Sequence, residues 1–235
     1  MTHQNKEAPF SVDDRGDRVQ FYCTKSWDIV GEMTKLYKLT DEQGRTRAGE
    51  DNELTWAVGV EHKTAGTGTR LCTADVIHAY EHPLIAVLMN PVHADFDPAR
   101  MRLFVAEGEI VAREVQLKCG VHALKIVEEI AVPTLTTEQR VKFAILCAKC
   151  VCTDVAWNAW ADKWLSGENR SEAAAWEAAE AATRAEAKAA AKAAAKAAAK
   201  AAIATKKTAA KAAAKAAMAA WEAGKPDLIQ IVEQL

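Results

Sequence analysis

Two histidines lie four residues apart in the segment HAYEHP, with a tyrosine and a glutamate between them. Histidine exchanges protons near neutral pH, and two histidines at this spacing on one helix can bind zinc. Pro83 suits the first position of a helix, so we expect His78 to precede that helix and not to face His82. Partly buried histidines that hold a turn are the favoured interpretation. The alternative is an enzyme or a small-ligand or nucleotide site built from His78, Tyr80, Glu81 and His82.

The cysteines give no clear sign of metal or nucleophile chemistry. Cys147, Cys150 and Cys152 lie close together, but a structural zinc site needs a fourth ligand, and the chain has no second C-x-x-C pair. We predict that these three are small buried apolar residues, and we predict no metal ion or other cofactor. No motif places a histidine beside Cys72, so a thiol nucleophile is not predicted. The segment GVEHKTAGTGTR matches no phosphate-binding pattern and predicts a hairpin or a loop that covers a ligand.

A long alanine-rich segment near the C-terminus carries regularly spaced lysines. Lysines four residues apart advance by about 40° around a helix, so they form a slow spiral instead of a straight basic stripe. No aromatic residues alternate with them to stack on bases. An alanine-packed helical hairpin or dimer is therefore favoured, and an exposed spacer or a polyanion site are the alternatives. The polyanion site would consist of Lys188, Lys192, Lys196, Lys200, Lys207, Lys211 and Lys215.

The first half of the chain predicts an α+β domain over residues 18–132. Short runs rich in β-branched and aromatic residues, separated by turn formers, predict strands. These runs are VQFYCTK, KLYKL, LTWAVGV, TRLC, MRLFVAEGEIV and ALKIVEEIAV. Between the fourth and fifth runs, one short helix begins at Pro83, and Pro91 limits its length. Residues 1–17 are predicted to be a flexible N-terminus.

Residues 133–235 predict a helical region. Thr136 and Gln139 form a capping box, and Gly167 suits the end of a second helix. A long alanine- and lysine-rich helix is predicted over 171–223, because no glycine or proline interrupts this segment. Its weakest point is ATKKT at 204–208, where a turn could join two helices. Trp176 and Trp221 need burial, which favours packing over a free rod. A short apolar helix at 226–235 is expected to dock on the body of the protein.

Composition narrows the function classes. The 235 residues are 50% hydrophobic with a formal net charge of −2, so a sizeable core is expected and neither half is basic enough to indicate a nucleic-acid protein. The N-terminus lacks the apolar stretch of a secretory signal, and no long uncharged apolar run predicts a membrane span. We therefore expect a soluble, intracellular protein with reduced thiols and no membrane partner.

Four ordered segments resemble an uncharacterised family of bacteriophage and prophage proteins. The segments are GTGTRLCTADVIHAYEHPLIAVLMNPVHA, RLFVAEGEIV, TTEQRVKFAILCA and WNAWADKWLSGENRSEAAAWEAAEAA, and the resemblance covers about residues 66–182. It implies a small α/β front joined to an alanine-rich helical tail. It also implies an accessory gene product that acts on host machinery or host defence in the cytoplasm of a bacterial host. The resemblance carries no catalytic residues over to this chain.

The sequence as a whole favours α+β architecture: a small mixed sheet with one short helix, followed by an alanine-rich helical hairpin or bundle. The favoured function is that of a phage-type accessory protein that binds another macromolecule without enzymatic activity; the expected partner is an unidentified protein, for which a host protein is one candidate. Self-association through the alanine-rich helices is a further expectation. The alternatives are an enzyme or ligand-binding protein with a site around His78–His82, and nucleic-acid binding through Lys188–Lys215.

Overall fold

The computed structural model describes residues 11–12, 18–19, 33–114, 116–184, 189–224 and 226–235. The chain divides into two compact units, Met1–Glu32 and Met33–Leu235. In the first unit, strands β1 (Ser11–Val12) and β2 (Arg18–Val19) pair antiparallel. Most of the N-terminus predicted to be flexible, and most of the strand predicted at 19–25, lie outside the described residues. All other elements belong to the second unit.

The strands of the second unit pair antiparallel in three groups. They are β3 (Thr34–Thr40), β4 (Arg45–Thr46), β5 (Leu54–Thr55), β6 (Glu61–Lys63), β7 (Ile77–Ala79), β8 (Arg102–Gly108), β9 (Ile110–Glu114), β10 (Lys118–Val121) and β11 (Ala123–Ile130). One sheet has the order β3-β8-β11-β6, a second has the order β7-β10-β9, and β4 pairs with β5. A single bridge between Tyr37 and Tyr80 joins the first two sheets.

Strand β3 separates two cores because its side chains alternate between two faces. Leu36 packs with Trp56 and Phe104 in a cluster formed by the strands. Leu39, which faces the other way, packs in the larger cluster that includes the helices. The boundary predicted between the α+β domain and the helical region, at residues 132/133, therefore lies within one compact unit.

The helices begin and end largely at local sequence signals. They are α1 (Pro83–His93), α2 (Thr137–Lys149), α3 (Val155–Ser166), α4 (Glu172–Arg184), α5 (Ala189–Ala202), α6 (Lys206–Gly224) and α7 (Leu228–Val232). Thr136 and Gln139 make both bonds of the predicted capping box. Gly167 ends α3 in the left-handed conformation with a φ of 83°. The predicted α+β class, with a helical bundle after the strands, is confirmed.

The segment predicted as one long helix over 171–223 is divided. A turn at 203–205 separates α5 from α6, and residues 185–188 lie outside the described part of the chain. The turn falls where β-branched Ile203 and Thr205 lower helix propensity, and the Thr205 and Thr208 hydroxyls hydrogen-bond at 2.8 Å. Helices α5 and α6 pack along each other as a hairpin, and both contact α2. The one-helix prediction is thus corrected in favour of the hairpin.

Three smaller predictions are wrong. TRLC does not form a strand: residues 69–72 are irregular, and Cys72 has a φ of 61°, which a strand cannot accommodate. Helix α1 continues two residues beyond Pro91, because a proline close to a helix end removes only one intrahelical bond. Trp176 is 50% exposed, since α4 turns its alanines and not this indole towards the bundle.

Candidate ligand-binding cleft

The bridge between the two sheets places Lys38 beside His78. The Tyr37 amide donates to the Tyr80 carbonyl at 2.8 Å, and the Tyr80 amide donates to the Tyr37 carbonyl at 2.9 Å. The next residue of β3 is Lys38, whose Nζ donates to the backbone carbonyl of His78 at 2.7 Å. Strands β3 and β7 belong to different sheets, and these backbone bonds and the Lys38 side-chain bond connect them.

Lys38 is a buried amine without a carboxylate partner. Its side chain is 7% exposed, and none of the ion pairs among the described residues includes it. Its Nζ lies 4.9 Å from the centre of the Trp56 ring, and the Trp56 indole is fixed by a 3.0 Å hydrogen bond to the Thr46 hydroxyl. Burial first, and then the positive charge of Arg47, lowers the pKa of Lys38 to about 7. The amine is therefore partly neutral at physiological pH.

His78 lies among positive charges and stays neutral. Its Nε2 accepts a hydrogen bond from the backbone amide of Cys72 at 3.0 Å, which assigns the ring proton to Nδ1. Burial first, and then the positive charges of Lys118, Lys38 and Arg47, lowers the pKa of His78 to about 4. The groups that act on this imidazole are all cationic, which indicates a positive potential around it.

A second pair of rings lies along the same wall. The Tyr80 hydroxyl and His93 Nδ1 are 3.2 Å apart, and their rings stack with centres at 6.0 Å. Burial raises the pKa of the Tyr80 hydroxyl and lowers the pKa of His93 to about 4. At neutral pH, a neutral phenol therefore faces a neutral imidazole.

These side chains line a cleft of about 830 Å³. Its lining includes the cations Lys38, Arg47 and Lys118 and one carboxylate, Glu50. Arg47 lies 3.9 Å from Glu50, and Lys118 lies 3.3 Å from Glu114. Lys118 also donates to the Cys72 sulfur at 3.2 Å. The cleft therefore offers an excess of positive charge, with one cation that no carboxylate neutralises.

No protein-family model, curated protein or solved structure compared with this chain matches it. Its function must therefore be inferred from the site.

The structure separates the four site residues predicted from the sequence. His78 and Tyr80 line the cleft. Glu81 instead accepts a hydrogen bond from Arg113 Nε at 3.1 Å, and His82 caps α1 through its ring, which accepts from the Leu84 amide at 3.2 Å. His82 is thus a turn-holding histidine, whereas His78 faces a cavity.

Sequence reasoning missed the residues that dominate the cleft. Lys38, Arg47, His93 and Lys118 were not predicted as site residues, because they are far apart in the chain and belong to no motif. One signal was present: in TKLYKLT, Lys38 shares the inward face of β3 with Leu36. A lysine at an inward strand position indicates either a paired charge or a functional amine.

The lysines of the alanine-rich segment are divided between two helices. Lys196 and Lys200 on α5, and Lys211 and Lys215 on α6, are exposed, whereas Lys192 is half-buried. Lys188 lies outside the described residues, and the side chain of Lys207 is not described. The hairpin interrupts the single spiral that the sequence predicts. Polyanion binding by these lysines stays a prediction.

The cysteines near the end of α2 form no described metal site. Cys147 and Cys152 are buried, as predicted. The prediction that Cys150 is buried is wrong, because Cys150 follows the last residue of α2 and is exposed, with its thiol donating to the Leu146 carbonyl at 3.3 Å. No group of three histidine, cysteine or acidic side chains in the described part of the chain is placed to hold a metal ion. Among the described helices, none has both the length and the apolar composition needed to cross a membrane.

Proposed function

We propose that the cleft binds a small anionic ligand whose phosphate or carboxylate groups lie against Arg47, Lys118 and Lys38. The observation that carries this proposal is the buried, unpaired amine of Lys38 at the wall of a cavity with two further cations. A buried ammonium without a carboxylate is costly, and an anionic ligand supplies the missing charge. This proposal favours the ligand-binding alternative over macromolecule binding, which the sequence favoured because it combines a long, repetitive helical surface with no convergent catalytic set.

Calorimetry with two probes, pyrophosphate and malonate, tests the proposal and separates phosphate from carboxylate recognition. We expect one site per chain, and we expect Arg47→Gln and Lys118→Gln each to weaken binding at least about tenfold, as for the loss of one charged hydrogen bond. Lys125→Gln is the matched control, because Lys125 is exposed on β11 away from the cleft lining. Binding that is absent for both probes, or equal losses in all three variants, contradicts the proposal.

A second candidate is protein binding at Trp176. This indole is 50% exposed on α4, and an exposed tryptophan is typical of protein interfaces. The resemblance to bacteriophage and prophage proteins belongs with this candidate: it suggests an accessory protein of the bacterial cytoplasm that binds a host macromolecule. A second copy of the chain is the partner that can be tested directly. A solution mass above 25.5 kDa that returns to the monomer in Trp176→Ser supports self-association, and a monomer in both proteins excludes it.

A further inference from the structure

The amine of Lys38 has bonding capacity that the protein does not use. Among the described residues, it makes one hydrogen bond, to the His78 carbonyl at 2.7 Å, and its Nζ lies 4.9 Å from the centre of the Trp56 ring. An ammonium group has three donors, and a neutral amine has two donors and a lone pair. Lys38 is one of the residues that line the cleft.

The surroundings of Lys38 favour the neutral, nucleophilic form of the amine. Arg47 opposes a second positive charge, and the buried thiol of Cys119, whose own pKa is raised to about 12, supplies no negative charge at neutral pH. Because burial and Arg47 lower the pKa of Lys38 to about 7, far more of this amine carries a free lone pair at neutral pH than in an ordinary lysine. An ordinary lysine has a pKa of about 10.4, which leaves less than about 0.1% of it neutral.

Desolvation beside another cation is a known way to activate a lysine towards carbonyl compounds. We propose that Lys38 forms an imine with the carbonyl carbon of a small anionic aldehyde or oxo acid held in the cleft. The inference rests on the proposed function, since Arg47 and Lys118 would bind the anionic group and hold the carbonyl next to Nζ.

The step balances without any other reactant. The nitrogen lone pair forms a C–N bond, the carbonyl oxygen leaves as water with the two protons of the amine, and a C=N bond remains. No electrons are gained or lost, and water reverses the reaction. Glu50 is the one carboxylate of the described cleft lining, and it lies 3.9 Å from Arg47 and forms no described ion pair with Lys38.

Reductive trapping tests the proposal on the intact protein. Glyoxylate, a small anionic aldehyde, is added with cyanoborohydride at pH 7, and peptide mapping measures the modified fraction of each lysine. We expect Lys38 to be modified at least about tenfold faster than exposed Lys35 on the same strand, because far more of its amine is neutral. Its rate should reach a plateau above pH 7, whereas the rate at exposed lysines keeps rising.

Two comparisons make the outcome decisive. Acetaldehyde, which is neutral, should label Lys38 more slowly than glyoxylate does, and pyrophosphate should protect Lys38 from glyoxylate. Lys125→Met should leave the labelling of Lys38 unchanged. Lys38→Met should abolish the modification of the peptide that contains residue 38 and leave the other peptides modified as before. Equal labelling of Lys38 and Lys35 overturns the imine. If pyrophosphate still binds in that case, the anion site stands; if it does not, both proposals fail.

Discussion

The Nζ of Lys38 donates a 2.7 Å hydrogen bond to the backbone carbonyl of His78, across the junction of two sheets that share one bridge. The bond holds a buried amine at the wall of a cleft and beside a neutral imidazole. Both groups have lowered pKa values for the same first reason, which is burial; Arg47 adds to the effect on both, and Lys118 adds to the effect on His78. The site is therefore destabilising in the absence of a ligand.

Replacing Lys38 by methionine should stabilise the protein and abolish anion binding. The pKa of Lys38 falls from 10.5 in the unfolded chain to about 7 in the fold. The free-energy cost of burying its charged form therefore applies in full below pH 7, decreases as the pH rises and disappears above pH 10.5. We expect Lys38→Met to raise the free energy of unfolding by about 2–4 kcal/mol at pH 6 and by less at pH 9. Urea unfolding at both pH values measures this. A variant less stable than the wild type at pH 6 contradicts the expectation.

Acid should destabilise the protein through its buried histidines. The pKa of His93 is lowered from 6.5 to about 4, so the unfolded chain binds one more proton than the fold between these values, and stability falls as the pH drops from 6.5 to 4. His93→Gln keeps an acceptor for the Tyr80 hydroxyl and removes the imidazole that binds this proton in the unfolded chain. Near pH 5, we expect the loss of stability per pH unit to shrink by about 1 kcal/mol. An unchanged slope in urea unfolding across pH 4–7 would count against neutral His93.

The glycines of the TAGTG loop should be essential for its packing on Asp75. A Cβ on Gly66 would lie 2.7 Å from the Asp75 Cα and still closer to its carboxylate. We expect Gly66→Ala to destabilise the fold by about 2–3 kcal/mol, as for an overpacked site. Gly49→Ala is the control: its φ of +79° is strained for alanine, but nothing lies within 4 Å, so about 1 kcal/mol is expected. Equal losses of unfolding free energy would show that the Asp75 contact is unimportant.

The alanine-rich hairpin should tolerate bulk only on its outer face. Ala198 is fully buried on α5, where the Trp157 indole on α3 donates to the nearby Ala195 carbonyl at 3.0 Å. Leucine at position 198 would force the packed helices apart, and we expect a loss of about 1–3 kcal/mol. Ala193→Leu, on the exposed side of the same helix, should change stability by less than about 0.5 kcal/mol. Thermal unfolding of both variants checks this, and similar melting temperatures contradict it.

Local signals explain which parts of the fold were predictable. The capping box at Thr136 and the left-handed Gly167 act within a few residues, so the sequence alone predicts where α2 begins and where α3 ends. Strands β7 and β10 were missed because they are short and are defined by pairing with each other, as in the contact between Gly120 and His78. The turn at 203–205 was predicted as a weak point, but only packing of α5 on α6 decides that the chain turns there.

The candidate site was only half predictable for a similar reason. His78 and Tyr80 stood out because histidine and tyrosine are close together in one segment. Glu81 and His82 belong to the same segment, but the start of α1 turns them to structural partners. The alternation in TKLYKLT marks Lys38 as an inward lysine, but no local pattern encodes the sheet topology that brings Lys38 and Lys118 to one site.

One titration tests the central claim, that a buried unpaired amine in the cleft is matched to a small anion. NMR of ¹³C-labelled lysine can follow the Lys38 Cε shift with pH, with and without pyrophosphate. The account predicts a midpoint near 7 in the free protein, and a higher midpoint with pyrophosphate because a bound anion favours the charged amine. A free midpoint near the ordinary value of about 10.4, or a midpoint that pyrophosphate does not move, would contradict it.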